Sequence, residues 1–287
     1  METVASGLLD KMSTQLVNGK VEYSFTVFEP LPEKVPGTFS ERHFKLNDVI
    51  GKPIRLSFLD SIECAQCFKK TKKSYGGGYC YPCSMKLAAC DMCILKPETC
   101  HFAKGTCREP EWGEKNCNVD HIVYLANSSG LKVGITRATQ VPTRFMDQGA
   151  VQALPIFRVQ TRFHSGLVET LLSEELNDKT DWRKMLKGER VDIDLEVKRD
   201  EVFEMFADDL DQLEAKIGGH FEFLENEEVI DIEYPVLQYP EKVTSLSFEK
   251  TPVIEGILKG IKGQYLILDI GVINLRNHTS YRVKLEV

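Results

Sequence analysis

His121-Ile122-Val123-Tyr124-Leu125-Ala126-Asn127-Ser128-Ser129-Gly130-Leu131-Lys132-Val133-Gly134-Ile135-Thr136 is the stretch on which the reading of this chain turns. Ile122 to Leu125 and Leu131 to Ile135 are short apolar runs that flank Asn127-Ser128-Ser129-Gly130, a composition suited to the turn of a β-hairpin. Pro142 to about Ala150 reads as a short helix, with Pro142 where its missing donor costs nothing. Ile156 to Phe163 alternates as a third strand, and Ser165 is placed to cap a helix from Gly166 to about Asn177. The resulting order is strand, turn, strand, helix, strand, helix.

Three side chains punctuate that order. Tyr124 lies in the first strand, Arg144 follows Gly134 by ten residues on the short helix, and Glu169 falls in the first turn of the last helix. Singly, each has an ordinary explanation: a half-buried strand tyrosine, a surface arginine, and a glutamate favoured by the helix dipole. Together, Ile122-Val123-Tyr124, then Lys132-Val133-Gly134-Ile135-Thr136, then Arg144 and Glu169 resemble the GIY-YIG nuclease superfamily over about residues 119–187, most closely its variants whose second motif reads Lys-Ile-Gly. The resemblance implies that Tyr124 helps activate water, that Arg144 offsets phosphorane-like charge and that Glu169 binds one Mg2+ or Mn2+. Lys132 takes the place where a second tyrosine often lies. The chemistry is coherent, because a metal polarises the phosphate, a cation offsets developing charge, and a phenol or metal-bound hydroxide supplies the nucleophile. Arg137 competes with Arg144 for its role, and Asp147, Gln148 and His164 are candidate polar neighbours. Asp178-Lys179-Thr180-Asp181-Trp182-Arg183 is similar to the surface segment that follows the glutamate helix in those nucleases.

Immediately upstream lie nine cysteines, three of whose pairs are Cys-x-x-Cys. Cys64-x2-Cys67, twelve residues, then Cys80-x2-Cys83 is a double zinc-knuckle pattern, since two intervening residues let both sulfurs of a knuckle reach one ion and two knuckles complete a tetrahedron. Cys90, Cys93, Cys100, Cys107 and Cys117, with His101 and His121 nearby, exceed what one further ion needs. A second zinc on Cys93, Cys100, Cys107 and Cys117 is the first choice, an iron–sulfur cluster is its rival, and buried structural thiols are the third reading. Between the knuckles, Lys69, Lys70, Lys72 and Lys73 with Tyr75-Gly76-Gly77-Gly78-Tyr79 form a basic, aromatic loop. It can track a nucleic-acid backbone or be a solvated glycine-rich tip. The whole arrangement, with Cys100-His101, Gly105-Thr106-Cys107-Arg108 and Glu109-Pro110-Glu111-Trp112-Gly113-Glu114 running into the Tyr124 strand, also resembles a bacterial family of unknown function across nearly the whole chain.

Composition sets the outer bounds. A chain of 287 residues with 42% hydrophobic content can form two or three packed domains. No apolar run approaches the roughly 18 residues of a membrane span, and Met1 to Gly7 lacks the basic start of a secretory signal, so a cytoplasmic protein without a membrane segment is expected. In a reducing compartment the cysteines read as metal ligands. The net charge of −7 is uneven: residues 61–110 hold eight Lys/Arg against four Asp/Glu and 111–165 six against four, whereas 166–287 hold fifteen against twenty-seven. A phosphate backbone is therefore tolerated at the first two segments and repelled by the third.

Outward from these motifs, Leu8, Leu9, Met12 and Leu16 have helical spacing, Val21 to Phe28 and Pro53 to Leu59 read as strands, and Val202, Phe203, Met205, Phe206, Leu210 and Leu213 mark a helix ending at Gly218-Gly219. Later strands are expected at 221–223, 229–232, 254–259, 265–268, 272–275 and 281–285. The fold class is α+β, divided as an N-terminal β region (1–60), a metal-stapled Cys-rich module (61–118), a GIY-YIG-like three-stranded antiparallel sheet with flanking helices (119–190), a helical connector (191–217) and a small C-terminal β-domain (218–287). The function expected is a metal-dependent endonuclease on DNA or RNA whose zinc module binds nucleic acid. Its alternatives are an inactive nucleic-acid-binding or regulatory protein and a zinc-stapled interaction scaffold.

Overall fold

A computed structural model of the chain describes residues 1–33, 35–176 and 181–287. Asp178, Lys179 and Thr180 of the segment singled out above lie outside the described residues, as does the expected helix end at Asn177. Six strands and one helical turn come first: β1 (Thr3–Leu9), β2 (Ser13–Val17), β3 (Lys20–Pro30), β4 (Phe39–Lys45), β5 (Pro53–Glu63), β6 (Lys70–Thr71) and α1 (Tyr81–Ser84). The middle of the chain supplies α2 (Pro110–Asn116), β7 (His121–Asn127), β8 (Leu131–Arg137), α3 (Thr143–Asp147), β9 (Gln152–Val159), α4 (Arg162–Glu175), α5 (Trp182–Leu186) and α6 (Leu195–Ile217). Then follow β10 (Phe221–Phe223), β11 (Ile230–Asp231), β12 (Val253–Lys262), β13 (Tyr265–Leu268), β14 (Gly271–Asn274) and β15 (Tyr281–Glu286). These elements divide into two compact units, Met1–Lys86 with Glu233–Val287, and Leu87–Ile232. Among the described residues no helix is long and apolar enough to cross a membrane.

The first unit is a curled ten-stranded antiparallel sheet in the order β14-β13-β12-β5-β15-β1-β3-β2, with β4 also on β3 and β6 on β5. Chain ends meet in it, since β1 pairs with β15 from Ala5 opposite Leu285 to Leu8 opposite Arg282. Residues 218–287 consequently do not form a sheet of their own: β12–β15 need the N-terminal strands as neighbours, and β10 and β11 pair with β9 in the other unit's sheet. The helical spacing of Leu8, Leu9, Met12 and Leu16 is also overruled. Asn18 and Gly19, both at positive φ, make the two-residue turn that joins β2 to β3, with Val17 opposite Lys20. An Asn-Gly hairpin is the stronger signal, because that backbone twist fits paired strands and no helix.

The second unit is built on a five-stranded antiparallel sheet, β10-β9-β7-β8 with β11 also on β9. All seven residues of the central strand β7 are buried. Val123, Leu125, Leu154 and Ile156 pack with Val168 and Leu172 of α4 and with Val202, Phe206 and Leu210 of α6. The i, i+4, i+8 spacing of the α6 trio forms one stripe, so residues 195–217 are a core helix and not merely a connector. It ends at Gly218, in the left-handed region at φ 68°, whose N–H reaches Glu214 O at 2.9 Å.

Two local expectations shift here. The third strand is β9, beginning at Gln152, because β7 holds it in register from Asn127 opposite Gln152 to His121 opposite Val159. Helix α4 then starts at Arg162, capped by Thr161 Oγ1, which accepts from His164 N–H at 3.1 Å. Ser165 lies inside the helix, donating to Arg162 O at 2.8 Å, and Glu169 is in its second turn rather than its first. Gly166 therefore starts nothing; a Cβ there would stand 2.4 Å from Glu98 N and 2.5 Å from Pro97 Cβ, so glycine is what lets α4 approach the 97–99 turn.

His121 is fully buried at the start of β7. Its Nδ1 contacts Val119 O at 2.7 Å and its Nε2 has no hydrogen-bond partner. Burial, only partly opposed by the Val119 contact, brings the imidazole down to about 4. Between that value and the ordinary one near 6.5 the unfolded chain binds the extra proton, so stability is present above the window and is lost as pH falls through it. Wild-type protein should lose on the order of 2–3 kcal/mol relative to His121→Asn between pH 7 and pH 4 in urea unfolding. A constant gap between the two proteins across that range would contradict this assignment.

Candidate functional site

In the β7–β8 hairpin Tyr124 stands directly opposite Gly134. A Cβ on Gly134 would come within 2.6 Å of both Cζ and Oη of the tyrosine, so the phenol lies against the neighbouring strand where any side chain would displace it. The Phe145 ring of α3 is tilted against it with centroids 4.5 Å apart, and Tyr124 is fully buried. The Val-Gly of the second motif thus has a packing cause that a sequence pattern does not reveal.

The Tyr124 hydroxyl lies 2.8 Å from the carboxamide of Gln148. Oriented with its Nε2 donating to Tyr124 Oη, that carboxamide places Oε1 to accept from Arg144 Nε at 3.2 Å and Nη2 at 2.9 Å. The reverse orientation would set an NH2 group against guanidinium donors, so the bridge Tyr124–Gln148–Arg144 is the satisfied arrangement. Burial pushes the phenol up to about 12, with Arg144 opposing and Glu169 adding to the shift. At neutral pH it is a hydroxyl and not a phenolate.

Glu169 projects from α4 into the same charged neighbourhood. Burial raises its carboxyl above the usual range, while Lys132, Arg144 and Arg162 oppose that shift. Lys132 and Tyr124 share a face, since Lys132 pairs with Ala126 and Gly134 with Tyr124. The structure thus brings Tyr124, Lys132, Arg144 and Glu169 together, with Gln148 as a bridge. Arg137 is elsewhere: it pairs across the strands with His121, and its Nη1 donates to Asn116 Oδ1. Arg162, a member of this group that the motifs did not flag, directly follows the helix cap, a position where sequence patterns assign no role.

In the first unit, Cys64, Cys67, Cys80 and Cys83 bring their sulfurs within 4.8 Å of one another. Strand β5 delivers Cys64, whose N–H donates to Lys69 O at 3.0 Å and whose carbonyl accepts from Phe68 N–H at 2.8 Å, closing the first knuckle. The second closes where Ser84 N–H donates to Cys80 O at 2.9 Å in α1. The Cys67–Cys80 sulfur separation of 3.8 Å matches the edge of a tetrahedron with metal–sulfur bonds of about 2.3 Å, so this cluster can hold a metal such as zinc. Burial works against ionising Cys64, yet backbone N–H groups of Cys80, Cys67 and Gln66 bring it down to about 7. Burial and the neighbouring sulfurs raise Cys83.

Lys69, Lys70, Lys72 and Lys73 are all exposed beside this cluster. The glycine run is a set turn and not a loose tip: Tyr75 N–H donates to Tyr79 O at 2.8 Å, Gly76, Gly77 and Gly78 are at positive φ, and Ser280 Oγ donates to Gly78 O at 2.9 Å. Lys73 Nζ lies 5.5 Å from the centre of the Tyr75 ring, which meets Tyr81 edge-on at 5.6 Å. The remaining cysteines belong to the second unit. There Cys93, Cys100, Cys107 and Cys117 line one small cavity with Asp91 and His101, and the donor atoms of Asp91, Cys93 and His101 lie within 4.8 Å of one another. Burial raises the Cys93 thiol to about 12 and the Cys117 thiol to about 11.

Gly134→Ala should lower stability by about 1–3 kcal/mol, read as a fall in thermal midpoint of roughly 2–4 °C per kcal/mol. Tyr124→Phe removes one of the two clashing atoms, so the double variant should lose less than the sum of the single losses. Strict additivity would show that the two residues do not touch.

No curated protein and no solved structure matches the chain. A family match covers residues 51–283, most of both units, including the Cys64 cluster and the Tyr124 group. The chain belongs to the family described as protein of unknown function (DUF2797).

Proposed function

We propose that this protein is a metal-dependent phosphodiesterase acting on DNA or RNA, with a GIY-YIG-like site at Tyr124, Lys132, Arg144 and Glu169 and a zinc-holding Cys64 cluster whose basic loop binds the nucleic-acid backbone. One observation carries the reading: the half-buried Glu169 carboxylate stands among Lys132, Arg144 and Arg162, with Glu98 as an opposing charge, beside a tyrosine tied to Arg144 through Gln148. Three cations gathered in a partly desolvated site suit a phosphodiester and its transition state, which carries more negative charge than the ground state.

A divalent ion bound at Glu169 would supply Lewis-acid polarisation of the phosphate; one carboxylate, with waters and phosphate oxygens completing the shell, is a usual magnesium site. Arg144 offsets charge on the phosphoryl oxygens, and Gln148 fixes the plane of its guanidinium. Tyr124, neutral at working pH, orients the attacking water by hydrogen bonding and does not remove its proton as a phenolate. Lys132 adds a cation where a tyrosine would place a hydroxyl. A nucleic-acid-binding protein without turnover is the second reading, favoured by that lysine and by the exposed lysines of the loop, of which Lys73 lies over Tyr75.

Purified protein with Mn2+ should cleave at least one of single-stranded, double-stranded or branched DNA and structured RNA. Glu169→Gln should abolish cleavage while leaving fold and substrate binding intact, and Tyr124→Phe and Arg144→Ala should each slow it by roughly two to three orders of magnitude. Absence of cleavage on every substrate leaves the binding-only reading; normal cleavage by Glu169→Gln moves the site elsewhere.

Replacing Lys69, Lys70, Lys72 and Lys73 by Ala should weaken nucleic-acid binding and flatten its salt dependence, by about 0.7–0.9 in log–log slope for each phosphate that the lysines no longer neutralise. An unchanged slope would place the binding surface on another part of the molecule.

A further inference from the structure

Outside the Tyr124 site and the Cys64 cluster, the described residues bring one further set of metal-binding donors together: a carboxylate oxygen of Asp91, the sulfur of Cys93 and a ring nitrogen of His101, all within 4.8 Å of one another. Two short turns deliver them. Asp91 caps the single 3-10 turn Met92–Ile94, its Oδ1 accepting from Cys93 N–H at 3.4 Å, and His101 stands at the start of the turn Phe102–Lys104. Of the four cysteines that spacing selects for a second ion, this group contains Cys93 alone; Cys100, Cys107 and Cys117 line the cavity beside it.

The spacing within the group is that of ligands rather than of a hydrogen-bonded pair. His101 Nε2 lies 3.5 Å from Asp91 Oδ2, longer than the usual N–H···O distance of about 2.7–3.2 Å. It matches the edge of a tetrahedron whose metal–nitrogen and metal–oxygen bonds are about 2.0–2.2 Å. The other ring nitrogen fixes the tautomer: Nδ1 is 2.8 Å from Thr106 Oγ1, whose hydroxyl donates to His101 O at 3.4 Å, so Oγ1 accepts from Nδ1–H and leaves Nε2 bare. A bare nitrogen and a carboxylate oxygen that face each other repel unless a cation stands between them. Arg108 Nε, 2.6 Å from the same Asp91 Oδ2, is a partner of the kind that orients a ligating carboxylate.

We infer that Asp91, Cys93 and His101 form a second metal centre, a Zn2+ site of one carboxylate, one thiolate and one imidazole whose fourth position is left to water. This borderline donor set suits zinc, and three protein ligands make a site that exchanges its ion more readily than four thiolates do. Between Leu87 and Cys117 the buried positions are Ala88, Cys93, Pro97, Gly113 and Cys117, too little apolar surface to hold a run of single turns. An ion that ties Cys93 to His101 closes the loop containing the 97–99 turn, on which α4 rests at Gly166. The centre does not depend on the phosphodiesterase reading.

The test uses the full chain with no nucleic acid present. Protein incubated with Zn2+ and then desalted should carry two zinc ions per chain by mass spectrometry of the elements, against one in Cys93→Ser and in His101→Ala and two in Cys100→Ser, Cys107→Ser and Cys117→Ser. Transfer of zinc to a chromogenic chelator should occur in two phases, and the faster phase should be absent from His101→Ala. In long-range 1H–15N spectra of wild-type protein, His101 should carry its proton on Nδ1, and its Nε2 resonance should move when the chelator withdraws the ion. One zinc per chain in wild-type protein, an unchanged count in Cys93→Ser and His101→Ala, or an equal loss in Cys100→Ser, Cys107→Ser or Cys117→Ser would each overturn the proposal. Where a variant fails to fold, the wild-type spectrum decides: an imidazolium with both nitrogens protonated makes His101 and Asp91 an ordinary ion pair and leaves no place for the metal.

Discussion

The contact between Tyr124 and Gly134 is the constraint from which the second unit's polar cluster follows. Without a Cβ at 134 the phenol can lie against the adjacent strand, and Phe145 closes over it. Its hydroxyl is then buried and must find a partner, since an unmade hydrogen bond there costs about 1–3 kcal/mol. Gln148 meets that need and with its other end fixes Arg144. A glycine on one strand thereby determines the orientation of a guanidinium on a helix ten residues later.

Charge completes what packing begins. The chain as a whole is acidic, at −7, but Glu169 stands among Lys132, Arg144 and Arg162; burial and Glu98 raise its carboxyl against those three cations. Local electrostatics and net charge point in opposite directions, and the local term is the one that bears on ligand choice, because fields are strongest where water is excluded. On the proposed function these cations are a receptor for phosphate. Arg162, in the first turn of α4, extends the pattern, with Glu169, Cys93 and Cys117 all within its electrostatic reach.

Legibility in the sequence followed the range of the interaction. The β7–β8 hairpin, α6 with its stop at Gly218 and the Cys64–Cys83 ligand set are all written within a few residues of one another, and each was readable. Strands β1 and β2 were not, because apolar spacing suggested a helix there, and one partner of β1, β15, lies more than 250 residues away. Long separation in sequence likewise hid the closing of the C-terminal strands onto β1 and β5. Helix α4 began four residues before its expected start because Gly166 looked like a boundary, although the residue serves close packing on Pro97 and Glu98. Tyr124, Lys132, Arg144 and Glu169 could be named from motif spacing, but the Gln148 bridge and Arg162 depend on side-chain geometry that no spacing encodes.

The central claim is that the half-buried Glu169 carboxylate among Lys132, Arg144 and Arg162 is a divalent-ion and phosphate site. A crystal of the protein soaked in Mn2+ with a short oligonucleotide, measured at the manganese absorption edge, tests it most directly. The account predicts an anomalous peak about 2.0–2.2 Å from a Glu169 carboxylate oxygen, with a phosphate oxygen within hydrogen-bonding reach of Arg144. Manganese bound only away from Glu169, with no phosphate near Arg144, would contradict it.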